Sequence, residues 1–365
     1  MQSLFAFEQC REANHLLGRD ELALEFQPNL NSMEVQDKAL LKKQRELALN
    51  TFDLKFKDPD HKLPDNIRIS QAIEQKLADY KNRLQKDFDF LRKTTLLDIE
   101  KISNTYLTIL NLFSALASVA ATDKRNVHQN FVSNLFIEAI KNSIELKNET
   151  NKSGSHWDNR MDKVRGWFKD IVRVDEEFIK HAEIKSPNQD EQLEIIKYIL
   201  RKIIISNTAI AGYFEDDDLR WAEDKEVLKS MIEKSFKSIK TKGVLELQKL
   251  SMEWEEDKEF VEELFQKSAW LPEKYISLIG QHTINWEVDR LPLTDRVILQ
   301  MAITEFTHFP NIPVKVTINE YIELTKGYST PKSKQFINGI LDVISKELKG
   351  SGDLKKSGRG LIDNK

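Results

Sequence analysis

Glycine and proline are scarce, 12 and 9 in 365 residues. A β-rich chain of this length needs many more turn residues, so long helices with few breaks are favoured and the expected class is all-α. Cysteine is rarer still. Cys10 stands alone, which excludes an intramolecular disulfide and a cysteine-based metal cluster and fits a reducing compartment. No long uninterrupted apolar run is present. The longest, Tyr106 to Ala121, is broken by Thr108, Asn111, Ser114 and Ser118, so it is read as a buried core helix and not as a membrane span. After Met1 come Gln-Ser-Leu-Phe-Ala-Phe-Glu, without a basic stretch or cleavage site, so no signal peptide is expected and the localisation read here is cytoplasmic.

Enzyme signatures are missing as well. There is no Gly-rich phosphate loop, no Gly-x-Gly-x-x-Gly, no His-Glu-x-x-His and no Gly-x-Ser-x-Gly. The seven histidines (His15, His61, His128, His156, His181, His282, His308) never pair at helical ligand spacing, and each is read as a surface or satisfied helix residue. The expectation is a protein that catalyses nothing and uses neither cofactor nor metal.

What is present suits a folded soluble protein: 40% hydrophobic and 31% charged residues. The length exceeds one compact core, so two domains or one domain with a large insertion is expected. A net charge of −4 gives no support to nucleic-acid binding, which would need a local basic face.

Apolar spacing predicts a first helix over residues 1–17, carrying Leu4, Phe5, Phe7 and Leu16. Ser32 is the predicted N-cap of a second helix running to Phe56. Pro59 and Pro64 mark a loop, and residues 66–121 and 127–146 read as helices. The polar run Lys147 to Ser155 reads as a linker. Helices are expected over 157–181 and 190–214, separated at Ser186-Pro187. Acids crowd residues 215–218 and 253–263; solvated helix starts are the favoured reading over a metal or a basic partner. Leu219 to Lys225 echoes Ile284 to Arg290 at an offset of 65 residues, pairing Trp221 with Trp286. At the same offset Ile195, Ile196, Ile199 and Leu200 meet Phe260, Val261, Leu264 and Phe265. An internal duplication is one reading and chance similarity of amphipathic helices the other. The expected organisation is an N-terminal helical region at 1–150, a middle half-domain at 156–250, a C-terminal domain at 251–349 and a disordered tail at 350–365.

The C-terminal region is the most informative. Pro292 sits near a helix start, and Val297, Ile298, Met301, Ala302 and Phe306 line a buried face. Phe309-Pro310-Asn311-Ile312-Pro313 is a two-proline turn, followed by a helix over 314–326. Thr330 is the predicted N-cap of a third helix, with Pro331 at its first position. In that helix Ile337, Ile340, Leu341, Ile344 and Leu348 point to the core. Phe336 lies at the border of this stripe, on the side of Lys332 and Gly339. Such an aromatic can stack an unpaired base while the cation meets a phosphate. On pattern alone, a Phe that caps the core edge is the stronger reading.

Three blocks then carry a resemblance. Ile312-Pro313-Val314-Lys315-Val316-Thr317-Ile318-Asn319-Glu320-Tyr321-Ile322-Glu323-Leu324 resembles the signature of the NusB family, as does Ser333-Lys334-Gln335-Phe336-Ile337-Asn338-Gly339-Ile340-Leu341-Asp342. Upstream, Leu293-Thr294-Asp295-Arg296-Val297-Ile298-Leu299 with Ala302 and Glu305 is similar to the preceding family helix. The resemblance spans about Asp257 to Leu348 and touches the first residues weakly, through Gln2, Leu4, Phe5 and Ala6. Residues 19–254 resemble no part of the short family form and read as a long helical insertion.

The resemblance implies a helical bundle that binds RNA and a partner. In the family the domain pairs with NusE, a ribosomal small-subunit protein, and the pair recognises boxA-type single-stranded leader RNA within the RNA polymerase antitermination complex. It implies an RNA contact for Phe336 and a place beside the RNA for Asp295. Charge and position add Lys332, Ser333, Lys334 and Arg296 to the expected RNA surface. Asn338 is expected to bond to backbone and Gly339 to let helices approach. One departure stands out. Family members carry an arginine-rich segment ahead of the first helix, whereas here Arg11 is the first cation, so either the true start lies upstream or RNA affinity comes from elsewhere. Residues 315–365, with ten Lys/Arg against six Asp/Glu, are locally basic and can compensate in part. Two rival readings are a methyltransferase fusion, disfavoured because no strand-rich catalytic unit is present, and a module that binds NusE but has lost RNA recognition.

Overall fold

The computed structural model describes residues 1–29, 31, 35–123, 128–283 and 291–364, and all regular structure among them is helical. In chain order the helices are α1 (Gln2–Glu25), α2 (Lys38–Lys57), α3 (Ile67–Ala121), α4 (Gln129–Val132), α5 (Leu135–Asn142), α6 (Ile144–Ser153), α7 (Met161–Asp170) and α8 (Glu176–Ala182). Then come α9 (Gln189–Tyr198), a π-helical segment (Ile199–Ile205), α10 (Thr208–Asp217), α11 (Trp221–Lys242), α12 (Trp254–Ala269), α13 (Glu273–His282), α14 (Leu293–His308), α15 (Val314–Tyr328) and α16 (Ser333–Ser351). The chain divides into two compact units. One joins Met1–Leu96 to Glu255–Lys365, and the other is Leu97–Trp254.

The unit of residues 97–254 is organised around the apolar part of α3. Tyr106, Ile109, Leu110, Leu112, Phe113 and Leu116 are all buried, against Phe136, Ile196, Leu200, Ile232 and Phe236 among others. By length and composition alone α3 could cross a bilayer, and these side chains instead fill a protein core. Runs expected to be single helices are broken here, each time where a side chain can accept from the next turn's N–H groups. Asn134 caps α5, Ser143 caps α6, Asp175 caps α8 and Asn207 caps α10.

Three expectations are corrected. The predicted linker at 147–155 is mostly α6, whose polar residues are the outer face of a helix that buries only Leu146 and Thr150 and ends at left-handed Gly154. The acids at 215–218 lie at the end of α10 and not at a helix start, whereas Glu255, Glu256 and Asp257 do open α12. The second helix starts at Lys38, capped by Asp37, whose carboxylate accepts from Ala39 and Leu40; Ser32 lies outside the described residues. Trp286 and the first residue of the predicted 127–146 helix lie outside them too. Of the echo's members, Trp221 is buried, and Ile199 and Leu200 lie in the π-helical segment while Leu264 and Phe265 lie in α12.

The other unit has two cores. A small one joins Leu22 and Phe26 of α1, Phe52 of α2 and Ile69 and Ile73 of α3. The larger one gathers α1, α3 and α12 to α16 around α14, whose residues 297–306 are all buried. The tail expected to be disordered packs against this core. Gly352 ends α16 in the left-handed region, Leu354 turns inward, and the Ser357 N–H donates to the Pro310 carbonyl at 3.0 Å. Lys356 reaches the Phe309 carbonyl at 3.0 Å and so meets the negative end of α14. A Cβ at Gly360 would collide with the Pro310 carbonyl, so only glycine fits there.

This arrangement makes the tail part of the fold. Leu354→Ala is expected to lower stability by about 2 kcal/mol, at the low end for a buried leucine. Thermal denaturation checks it, and an unchanged melting temperature would mean that the tail contributes nothing.

Candidate nucleic-acid interface

The six residues expected at an RNA surface do not lie together. Asp295, in the first turn of α14, is only 2% exposed. Its carboxylate accepts from the Ser329 hydroxyl, and Ser333 lies 3.0 Å from that hydroxyl. The Ser333 N–H donates to Thr330 Oγ1, but α16 begins at Ser333 with Lys332 as its N-cap, so the expected helix start, with Thr330 as cap and Pro331 in the first turn, lies two residues too early. Asp295 and Ser333 thus bind the start of α14 to the start of α16 and face inward. Arg296 is turned toward α1, where its guanidinium meets Glu8 at 3.5 Å. Glu8 also lies 3.7 Å from Arg11, which donates to the Ala269 carbonyl and sits over the rings of Phe7 and Trp270. These contacts make Arg296 part of the α1–α14 packing.

Lys332, Lys334 and Phe336 remain. Both lysines are exposed and form no ion pair among the described residues. Lys334 sits two residues from Phe336, about 160° round the helix, so it serves a different face. Lys332, Phe336, Gly339 and Val343 follow one another at offsets of four, three and four, which places them on one side of α16. Phe336 is half-buried, its inner edge packed on the core. Beside it the surface is bare: nothing lies within 4 Å of a Cβ built on Gly339, and Val343 is 41% exposed. This corrects the expected role of Gly339, which brings no helix close. Asn338 is likewise exposed and has no hydrogen-bond partner among the described residues, so it holds no backbone. The result is a shallow shelf with an aromatic wall, a floor without side chain and a cation at one end.

Behind the shelf, α14 carries a second buried acid. Glu305 accepts from Tyr321 Oη at 3.0 Å, between α14 and α15. Burial pushes its carboxyl above the ordinary carboxylate range, opposed by hydrogen bonds from Thr317 and Tyr321 and by the nearby Lys356 charge, while Glu320 adds to the rise. The Tyr321 phenol, buried and facing this acid, is pushed well up. Neither residue was singled out for this role by sequence, because an isolated Glu in an apolar helix and a Tyr one helix later carry no pairing signal.

The sign of the pH effect follows. A carboxyl whose folded pKa is raised disfavours folding once it is charged, so its cost grows as pH rises through the raised value and vanishes below the ordinary one of 4.5. Glu305→Gln keeps an acceptor for Tyr321 and removes the charge. Chemical denaturation should show the wild type gaining stability relative to this variant as pH falls from 7 toward 5. Parallel curves would exclude the effect.

Residues 221–346 match the model of the NusB family. The chain is 48% identical over 85 residues to the transcription antitermination protein NusB of Chloroherpeton thalassium, 23% of this chain and 40% of that protein. It is 43% identical over 98 residues to the protein of the same name from Salinibacter ruber, 27% of this chain and 61% of the relative. For that of Fervidobacterium nodosum the identity is 46% over 71 residues, 20% of this chain and 50% of the relative. The chain therefore spans about half the length of the curated relatives it matches. No solved structure matches it at a significant level. The family match begins at Trp221, so α11 belongs to it, earlier than the Asp257 expected. The buried spacing of Leu228, Ile232, Phe236 and Ile239 is that of any amphipathic helix and gave no distinguishing sign.

Proposed function

We propose that this chain, whose residues 221–346 match the NusB family model, is a cytoplasmic transcription antitermination factor that binds boxA-type single-stranded leader RNA together with NusE. It works by recognition and not by catalysis, as one component of an RNA polymerase complex. The observation that carries the reading is the shelf on α16, where Phe336 stands beside the bare surface at Gly339 with the unpaired Lys332 one turn away. A base laid on Gly339 can stack against the Phe336 edge, and Lys332 can meet the adjoining phosphate. Asp295, Ser333 and Thr330 serve it indirectly, by fixing the start of α16 and hence the angle at which the shelf faces solvent. The engagement of Arg296 by Glu8 weighs toward the alternative of a module that binds NusE alone.

Filter binding with boxA-type RNA, with and without NusE, separates the two. Phe336 is half-buried, so Phe336→Ala should cost less stability than the about 3–5 kcal/mol of a core Phe and weaken RNA binding by about 1–3 kcal/mol. Lys332→Ala should weaken binding modestly and flatten the salt dependence. The RNA reading is sunk if Phe336→Ala melts the protein while its folded fraction binds RNA normally.

A further inference from the structure

Helix α3 carries an arrangement like that of the α16 shelf, at a place where no family signature reaches. Its inner face is apolar: Tyr80, Leu84 and Phe88 are buried in the larger core with Phe7 and Phe265. Phe90, two residues on from Phe88, points the other way and is 66% exposed. Lys86 precedes it by four residues and Lys93 follows by three, so both cations share its face. An exposed phenylalanine between two cations is poorly explained by folding, because it buries little, and neither lysine forms an ion pair among the described residues although Asp89 stands within one turn of both.

The charge around it is also unbalanced. From Lys81 to Lys93 there are five cations (Lys81, Arg83, Lys86, Arg92, Lys93) and two acids, Asp87 and Asp89. Arg83 is answered by Glu21 of α1, and Asp87 is occupied by Asn14 at 2.6 Å. Lys81, Lys86, Arg92 and Lys93 are exposed and form no ion pair among the described residues. Just upstream, by contrast, Lys76 is surrounded by Glu21, Glu25 and Asp79. A stretch of α3 with four of its five cations outside any ion pair among the described residues thus frames an exposed ring. The same turn is anchored to the start of α1, where Thr95 Oγ1 donates to Ser3 Oγ at 2.7 Å.

We propose that this segment of α3 is a second contact for single-stranded RNA, in which Phe90 stacks an unpaired base while Lys86 and Lys93 meet the phosphates on either side. Stacking on an exposed ring tolerates any base, and the cations read only the backbone. The contact therefore adds affinity and length to the site without adding sequence preference. It rests on the RNA-binding reading above, and it gives the inserted region a function in that reading. A protein partner fits the surface less well, since interface centres are depleted in lysine and this ring is flanked by it.

The test uses the full chain and two labelled RNAs: a boxA-type single strand, and the same strand lengthened at both ends with uridines. Wild-type protein should bind the longer strand more tightly. Phe90→Ala should weaken binding of the longer strand by roughly 5- to 100-fold, the worth of one stacked base, with the melting temperature unchanged. Phe90→Trp, which keeps a stacking ring, should retain the affinity. Lys86→Ala and Lys93→Ala should each flatten the dependence of log affinity on log salt by about 0.7, the value for one phosphate contact on a single strand. If Phe336→Ala weakens binding of both RNAs while the Phe90 and lysine variants match wild type, the α3 contact is wrong and the α16 shelf stands. If wild-type protein binds neither RNA, both fall together.

Discussion

Helix α14 has almost no solvent face, and the unit of residues 1–96 and 255–365 is built around satisfying it. From Val297 to Phe306 its residues are buried. A buried helix surrounded by apolar neighbours gains from every side chain it hides, but each polar group it carries needs a partner, since an orphaned one costs about 1–3 kcal/mol. Its acids and its ends therefore select what packs on it. Asp295 takes the Ser329 hydroxyl and so fixes the junction between α15 and α16. Next to it, Arg296 takes Glu8 and draws α1 in. Glu305 takes Tyr321 and holds α15, and the carbonyls at the far end take Lys356 and hold the tail. Four polar pairings thus orient the elements that the apolar core only gathers.

That division explains which parts were legible in the sequence. Helix type and order could be read because they depend on local spacing. The three C-terminal helices and the two-proline turn at 309–313 follow from neighbours within a few residues. The apolar run of α3 was rightly read as core. Breaks inside long helical runs were missed at Asn134, Ser143 and Asn207, because a capping residue and an exposed polar residue in mid-helix look alike until the fold shows which N–H groups are left over. The linker at 147–155 was misread for a related reason: a helix that buries one residue per turn presents a nearly continuous polar sequence.

The candidate site was legible only in part, and along the same line. Phe336 and Lys332 share a face by helical periodicity alone, and the structure leaves that face open. Asp295, Arg296 and Ser333 lie near it in sequence yet point elsewhere, because their direction is set by partners 34, 288 and 3 residues away. Sequence adjacency to a recognised motif is thus a weak guide to exposure. A charged residue in such a motif is as readily there to orient the helix as to touch a ligand.

Total charge is an equally weak guide to what the protein can bind. The chain carries 59 acids against 55 Lys and Arg, which taken alone argues against a polyanion. Many of those acids are spent on lysines and arginines within one turn of the same helix, as in Glu323 with Lys326 or Asp342 with Lys346. Such pairs are neutral at a distance. At physiological salt a surface charge is felt over about 8 Å, so a phosphate responds to the nearest unpaired cations and not to the sum. What matters is where cations are left without acids. On α16 that is Lys332 beside Phe336, and on α3 it is Lys86 and Lys93 around Phe90. In both places an aromatic edge is presented where the local charge is positive, and an acidic protein can therefore hold a single strand without a basic exterior.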